Sequence, residues 1–205
     1  MRIYGRANAW NVRKVLFLAE ELGLKYERLD YGRGFKPADS PELLALNPNA
    51  MVPVLSDGDV TLWESHTILR YLGAKYGQGA VYPADLVAKS AVDRWLDWKL
   101  GHVSPAMRPL FFRYFLKTGD FSDREVAEGE TESAKLFTIL DAQLKKTGGF
   151  AASKDFTVAD CAIGIAVHRW LSLPLKRPEL ANVADYYRRL SERPAYRKTI
   201  LIGMP

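Results

Sequence analysis

The most informative segment of this chain is Asn49-Ala50-Met51-Val52-Pro53-Val54-Leu55, and Leu62-Trp63-Glu64-Ser65 follows it closely. Pro53 has no N–H for a sheet ladder, so we expect it at the first position of a strand or on a sheet edge. A proline in such a turn is also a candidate for a cis peptide bond. Val52 would then turn its backbone N–H and C=O away from its own sheet, where an extended peptide can pair with them.

A hairpin and a helix start follow this strand. Asp57-Gly58 is typical of a two-residue hairpin turn between short strands. Ser65 falls at the N-terminus of the next helix, where N–H groups and the helix dipole favour an anion, and Glu64 adds an acceptor for an amine. Together these features predict a pocket for a small peptide with a carboxylate end and an ammonium end. The alternative is an ordinary hairpin with a strand proline and a capping serine.

The region around this segment alternates strands and helices. Residues 2–30 are predicted to form a βαβ unit, because the apolar residues of 11–22 recur at helical spacing between two short strands. Ser40-Pro41 then opens a short helix, with serine as N-cap and proline at the first helical position. The predicted order up to Tyr76 is β-α-β-α-β-β-α, which is a thioredoxin-like layout with a mixed sheet and helices packed against it.

Every segment after the break at Gly77-Gln78-Gly79 has the pattern of a helix. Ser104-Pro105 is expected to kink or end the first of these helices. Thr157-x-x-Asp160 is a capping box that opens another. We therefore predict an α/β plus all-α architecture, with a thioredoxin-like N-terminal domain at 1–77, a linker at 78–85 and a helical-bundle C-terminal domain at 86–205.

The composition narrows the classes of function. The 205 residues are 48% apolar and carry a net charge of +5, with scattered basic residues that favour a solvated surface over a nucleic-acid site. Cys161 is the only cysteine, which excludes internal disulfides and thiolate metal clusters, and we interpret it as a small buried residue. His66, His102 and His168 are far apart in sequence, and we expect no metal site. The chain has neither a long apolar run nor a signal-peptide pattern, so we expect a cytoplasmic protein that binds no membrane.

These motifs together resemble the soluble glutathione transferases, and the resemblance covers essentially the whole chain. Within that superfamily, the chain is most similar to the bacterial theta-like and beta-like groups. The segments that carry the resemblance are Asn8-Ala9-Trp10-Asn11-Val12-Arg13-Lys14, Asn47-Pro48-Asn49 before Val52-Pro53, Trp63-Glu64-Ser65 with Ile68-Leu69-Arg70-Tyr71-Leu72, and Phe156 to Asp160.

The resemblance implies glutathione as co-substrate and gives roles to the predicted pocket. Val52 would pair through its backbone with the cysteinyl unit, and Pro53 would be cis. Glu64 and Ser65 would hold the γ-glutamyl amine and carboxylate. The resemblance also implies a homodimer.

A basic residue near the glycyl carboxylate is common in the family, but Met51 occupies that position here. Arg33 or Lys36 would serve instead. The alternative is that both are solvated loop residues.

The position of the thiolate donor departs from the family. Theta-like relatives place a serine hydroxyl against the sulfur, and the matching residue here is Ala9, which has no donor. Asn8 or Asn11 could donate through a side-chain amide, or backbone N–H groups near Trp10 and Asn11 could donate with Arg13 adding a positive field. A third hypothesis is that the protein binds glutathione without strongly stabilising its thiolate. The alternatives are that both asparagines cap the helix and that Arg13 pairs with an acidic residue.

The second substrate should be a hydrophobic electrophile, held between the domains against the kinked helix. Apolar side chains dominate small-molecule pockets. The candidates for its wall are Trp10, His102, Met107, Phe111 and Phe112. The alternative is that these side chains are core or dimer contacts.

The sequence thus indicates a glutathione transferase that adds the thiolate to electrophiles in detoxification, or reduces peroxides with the same thiolate. A non-catalytic binding or scaffold module with this fold is the first rival, supported by the missing serine and the missing basic residue. A glutathione-dependent disulfide reductase is the second rival, and the absence of a cysteine from the loop at 5–9 counts against it.

Overall fold

A computed structural model of the chain describes residues 1–203. They form two compact units, one made of residues 1–84 together with 192–203 and the other of residues 85–191. The first unit contains a mixed four-stranded sheet with helices, and the second contains only helices. The predicted α/β plus all-α architecture is confirmed.

The sheet of the first unit has the strand order β2-β1-β3-β4. Strands β1 and β2 are parallel, as the βαβ unit requires, while β1–β3 and β3–β4 are antiparallel. Ile3 and Leu55 are paired across the two inner strands and are fully buried, so the centre of the sheet is also the centre of the core. The strands are β1 (Arg2–Tyr4), β2 (Glu27–Leu29), β3 (Val54–Asp57) and β4 (Val60–Trp63).

Four helices belong to this unit: α1 (Trp10–Glu21), α2 (Pro41–Leu44), α3 (Ser65–Tyr76) and α9 (Pro194–Thr199). Helix α1 is buried from Val12 to Ala19, and it packs on α3 and α9. Ser40 caps α2 as predicted, with its hydroxyl oxygen accepting from the N–H of Leu43.

The hairpin of β3 and β4 is tied to the C-terminal end of α3. The Asp57 carboxylate accepts hydrogen bonds from Tyr71 Oη, Lys75 Nζ and Tyr76 Oη at 2.9, 2.8 and 2.7 Å. Burial alone would raise the pKa of Asp57, but the hydrogen bonds from Lys75, Tyr76 and Tyr71 together lower it. This cluster fixes α3 on the hairpin that precedes it.

The segment 192–203 packs on α1 although the whole second unit separates them in sequence. Arg193 forms a two-pronged ion pair with Glu21 at 2.8 and 2.6 Å, and the rings of Phe17 and Tyr196 meet edge to face at 5.2 Å. The predicted division instead grouped this segment with the helical domain at 86–205, because helical periodicity does not reveal which core a helix joins.

The second unit contains five α-helices within the described residues: α4 (Leu86–Trp98), α5 (Ser104–Phe111), α6 (Asp123–Thr147), α7 (Val158–Ser172) and α8 (Ala181–Glu192, whose last residue lies in the first unit).

Ser104-Pro105 was expected to kink or end a helix. A π-helical turn at Lys99–Val103 instead connects α4 to α5 just before this pair. Ser104 Oγ donates to the Lys99 carbonyl at 2.9 Å. Pro105 then sits in the first turn of α5, where its missing N–H costs little.

The predicted capping box at the start of α7 is present. Both N–H and hydroxyl of Thr157 donate to the Asp160 carboxylate, at 2.8 and 3.1 Å. The N–H of Ala151 and the hydroxyl of Tyr186 donate to its other oxygen, at 3.0 and 2.9 Å. Asp160 therefore joins a loop and two helices in the core of the second unit. Within residues 1–203, no helix is both long and apolar enough to cross a membrane.

Candidate functional site

The loop before β3 presents the backbone of Val52. The Val52–Pro53 peptide bond is cis, as predicted. Buried Asn47 fixes the loop, donating from Nδ2 to the Met51 carbonyl at 2.8 Å and accepting from the Asn49 N–H at 3.0 Å. No group within residues 1–203 hydrogen-bonds to the Val52 backbone. A peptide could therefore pair with it as an added strand would.

Glycine brings this loop against the start of α1. Gly5 has a φ of 140°, and a Cβ placed on it would lie 2.5 Å from Val12 Cγ2 and 3.0 Å from Val52 Cβ. Any side chain at this position would push the β1–α1 loop away from both. The Val52 backbone and the N-terminus of α1 consequently lie side by side within the first unit.

The N-terminus of α3 is held in an unusual backbone conformation. Glu64, the residue before the helix, has φ 67° and ψ 113°. This region is sparsely populated by residues with a side chain, and such strain is concentrated at functional sites. The Glu64 side chain is exposed and forms no hydrogen bond or ion pair within residues 1–203. Its carboxylate is available to a cationic group of a ligand.

Beneath this helix start lies a buried lysine. Lys14 Nζ donates to Ser65 Oγ at 3.2 Å and lies 3.2 Å from His66 Nε2, and all three side chains are buried. Ser65 Oγ is the acceptor in this contact, so its hydroxyl proton points elsewhere. Ser65 can thus donate to an anion, next to the buried Lys14 amino group.

The N-terminus of α1 has no capping side chain. Ala9 is the N-cap residue, with φ −77° and ψ 126°, and its carbonyl accepts from the Arg13 N–H at 2.9 Å. The alternative that Asn8 and Asn11 cap this helix is wrong, because neither side chain bonds to its first turn. Asn8 instead accepts at Oδ1 from Arg6 Nη1 at 2.7 Å.

Arg13 faces the C-terminal segment. Its Nη1 donates to the carbonyls of Ile200 and Gly203 at 3.2 and 2.6 Å, and its guanidinium lies 5.2 Å from the centre of the Trp10 ring. Burial, with a smaller effect of the Arg6 charge, lowers the pKa of Arg13 to about 10. Its polar partners within residues 1–203 are carbonyls, not the carboxylate that the ion-pair alternative required.

Two predicted basic residues lie on the loop after β2. Arg33 and Lys36 are both exposed, and Lys36 Nζ lies 5.7 Å from the centre of the Tyr31 ring. Burial, and then the nearby Arg33 charge, lowers the pKa of Arg6, which places these two arginines in the same neighbourhood. The assignment of Arg33 or Lys36 to a carboxylate of the ligand stays a prediction.

The predicted electrophile residues of the second unit surround the π-helical turns. His102 is exposed in the first turn, and Met107 is 2% exposed in α5. Phe111 is half-buried, stacked on Phe115 at 4.9 Å, with the Arg169 guanidinium 3.6 Å from its ring centre. Phe112, also half-buried, packs edge to face on Phe121 at 5.4 Å. Their role, like that of Trp10 in the first unit, stays a prediction.

Three residues without a role predicted from the sequence contact candidate residues of the first unit: Arg6, Lys14 and Asn47. Lys14 had a detectable signal, because it lies among the apolar positions of α1, where an exposed lysine is not expected. Arg6 and Asn47 hydrogen-bond to residues two to four positions away in sequence. The spacing of residue types does not reveal these contacts. Within residues 1–203, no cluster of three or more potential ligands could hold a metal ion, and Cys161 is a fully buried thiol.

Comparisons with known proteins show the family of this chain. Residues 1–74 match the model of the glutathione S-transferase N-terminal domain, and residues 102–194 match that of the C-terminal domain. Over 203 residues the chain is 35% identical to glutathione S-transferase GstB of Escherichia coli K12, covering 98% of this chain and 97% of that protein. A probable glutathione S-transferase, GSTF2, of Oryza sativa subsp. japonica is 34% identical over 166 residues, covering 78% and 76%.

A solved structure is similar over the same length. The theta class glutathione S-transferase from the citrus canker pathogen Xanthomonas axonopodis pv. citri, with glutathione bound, superposes with a TM-score of 0.92 at 35% identity and covers 100% of this chain and 98% of that one. Both domain models match in the family's order, and the matched ranges include every candidate site residue of both units. The chain therefore belongs to the glutathione S-transferase family of enzymes.

Proposed function

We propose that this protein binds glutathione in its first unit and adds the glutathione thiolate to hydrophobic electrophiles. The observation that carries the proposal is the close approach of Val52, Gly5 and Val12, which sets an unpaired strand-like backbone beside the N-terminus of α1. The cysteinyl unit of glutathione would pair with the Val52 backbone, and its sulfur would then lie near Ala9.

The γ-glutamyl end would extend to the start of α3. Its ammonium group would bind the exposed carboxylate of Glu64, and its carboxylate would accept from the Ser65 hydroxyl and the N–H groups of the first turn. Lys14 would support the same carboxylate from below, because its Nζ lies 3.2 Å from Ser65 Oγ. Opposite charges at the two ends would fix the direction in which the peptide binds.

The thiol must lose its proton before it can attack. A free thiol has a pKa of about 8.5, so lowering it by about two units requires roughly 2.7 kcal/mol of preferential thiolate stabilisation. The candidates remain the amides of Asn8 and Asn11 and the backbone N–H groups of the first turn of α1. Arg13 would act on the sulfur only through its field, since its guanidinium binds carbonyls of the C-terminal segment.

The thiolate would form a bond to an electrophilic carbon, and the displaced electron pair would leave with the leaving group or move into a conjugated acceptor. We propose that Trp10, His102, Met107, Phe111 and Phe112 contact this second substrate. The same thiolate could reduce an organic hydroperoxide, with two glutathione molecules ending as the disulfide. A homodimer in the cytoplasm and a role in detoxification complete the proposal.

A non-catalytic glutathione carrier is the second candidate. One observation favours it: no side chain caps α1, and Ala9 offers no hydroxyl. Its distinguishing property would be glutathione binding without a change in the thiol pKa. A disulfide reductase would be recognised by turnover of a small disulfide substrate with glutathione.

A glutathione titration tests the proposal, following the heat of binding and the ultraviolet absorbance of the thiolate against pH. We expect binding with a depressed thiol pKa. Ser65→Ala should weaken binding by at least about 1 kcal/mol, because it leaves a charged group of the ligand without its donor. Binding with an ordinary thiol pKa would support the carrier, and unchanged affinity in both Ser65→Ala and Glu64→Ala would overturn the site.

A further inference from the structure

We infer that Arg6 is a positioning residue for the thiolate: it turns the side-chain amide of Asn8 so that its NH2 group, and not its oxygen, is offered to the glutathione sulfur. Asn8 would thereby supply the donor that Ala9 lacks. The inference rests on the proposed glutathione site and selects one of its open candidates.

The contact between the two side chains fixes the orientation of the amide. Arg6 Nη1 lies 2.7 Å from Asn8 Oδ1. A guanidinium has donors only, so the amide atom facing it must be the oxygen. The amide nitrogen is consequently turned away from Arg6, with its two protons available to another acceptor. If a neutral group that both donates and accepts stood in place of Arg6, the Asn8 amide could face it with either its oxygen or its nitrogen.

Arg6 is itself held beside the proposed cysteinyl position. Its backbone N–H donates to the Tyr31 carbonyl at 3.1 Å. A Cβ placed on Gly32 would lie 3.6 Å from Arg6 Nε and 3.8 Å from Val52 Cγ2, so the arginine side chain and Val52 border the same glycine. Arg6 therefore holds Asn8 next to the backbone that would bind the cysteinyl unit.

The charge of Arg6 is not neutralised locally. Within residues 1–203 it forms no ion pair with a carboxylate, and the charged group that acts on it is another cation, Arg33. Arg6 is half-buried, and an anion nearby would relieve the repulsion between the two arginines. A thiolate fits this environment better than a neutral thiol does.

The test measures the thiol pKa of bound glutathione in Arg6→Met, Asn8→Ala and Asn8→Asp. Arg6→Met should raise that pKa by about one unit, since the amide is then free to turn and a positive charge is lost. Asn8→Asp keeps an oxygen for Arg6 but removes the NH2 donor, so it should raise the pKa at least as far as Asn8→Ala does. In the Asn8→Ala background, Arg6→Met should change the pKa by less than in the wild type.

Two controls separate this role from others. Arg33→Met removes an equal charge from the same neighbourhood but no bond to Asn8, so it should shift the thiol pKa less than Arg6→Met. S-methylglutathione has no ionisable thiol, so its affinity should be nearly the same for wild type and Arg6→Met. A large loss of that affinity with an unchanged thiol pKa would assign Arg6 to a carboxylate of glutathione and overturn the inference.

Each remaining outcome is also decisive. If the wild type binds glutathione with an ordinary thiol pKa, the inference fails while the binding site stands. If the wild type binds no glutathione, both fail. If Arg6→Met does not fold, the two substitutions at exposed Asn8 carry the test, and an unchanged pKa in both would overturn the inference.

Discussion

Helices α1 and α3 both begin at the proposed glutathione site, but their N-termini are built in opposite ways. The start of α3 has a buried serine, a buried lysine beneath it and a strained glutamate before it. The start of α1 has an alanine as N-cap, no capping side chain and an exposed asparagine beside it. In the proposed site, the first arrangement would bind the charged groups of glutathione, and the second would leave the sulfur to weaker donors. Glutathione affinity and the thiol pKa of bound glutathione should therefore respond to different substitutions.

The largest effect is expected at the buried lysine. Lys14→Met should weaken glutathione binding by about 2 kcal/mol, because it removes the hydrogen-bond donor to Ser65 from beneath the proposed carboxylate site. Calorimetric titration measures the change, and thermal unfolding verifies that the variant is folded. Lys25→Met, at an exposed lysine of the same unit, is the matched control. Equal glutathione affinities for Lys14→Met and wild type would show that the buried lysine does not contribute to binding at the start of α3.

The strained glutamate gives one prediction for glutathione binding and another for stability. Glu64→Gly and Glu64→Ala should both weaken glutathione binding by about 1 kcal/mol, since both remove the carboxylate. Glycine tolerates a φ of 67° whereas alanine does not. The free energy of unfolding should thus be about 1 kcal/mol higher for the glycine variant than for the alanine variant. Denaturant unfolding compares the two, and equal stabilities would mean that the backbone at this position is not strained.

Restoring the missing hydroxyl should make the two helix starts more alike. Ala9 already has the extended backbone of an N-cap residue, so Ala9→Ser needs no rearrangement of the chain. We expect the thiol pKa of bound glutathione to fall by up to about one unit and the protein to gain about 0.5 kcal/mol or more from the cap. The pH dependence of absorbance and thermal unfolding report the two effects separately. A gain in stability with no change in the thiol pKa would show that the new hydroxyl only caps the helix.

The smallest effect on binding is expected at the far end of α3. The pKa of Asp57 is lowered in the folded protein, so its contribution to stability is present above the unfolded pKa of about 4 and is lost as pH falls through the folded value. Asp57→Asn should lower the Tm by roughly 2–4 °C at neutral pH and flatten the dependence of Tm on pH below about 4. Glutathione affinity should stay within about twofold, and a larger loss would mean that the two ends of α3 are coupled.

The sequence predicted the local structure around the proposed recognition residues better than that around the start of α1. The proline turn, the hairpin and the start of α3 are local patterns, and each is carried by neighbouring residues such as Val52-Pro53 or Glu64-Ser65. The partner of Ser65 is not local: Lys14 lies fifty-one positions earlier and meets it only when α1 packs on α3. Periodicity predicts that α1 is a buried helix, but it does not reveal which charged residue on it is buried.

Two features depend on neighbouring groups that the sequence does not reveal. Asparagines at a helix start often cap it, but the Asn8 oxygen accepts from Arg6, so the alternative of a cap by Asn8 is wrong. Ser104-Pro105 was expected to kink or end the helix, and α4 does end at Trp98, but a π-helical turn at Lys99–Val103 links it to α5. The residue type at one position does not reveal such a turn in the segment before it.

The packing of residues 192–203 on α1 has a consequence for the order of synthesis. The first unit is interrupted in sequence by the whole of residues 85–191, so the ribosome completes the second unit before it supplies α9. Until then, Arg13 and Phe17 on the nascent chain lack the carbonyls and the ring that they contact in the folded protein. A nascent chain halted before residue 192 would expose this face of α1, and that face is where a ribosome-associated chaperone would find apolar surface to hold.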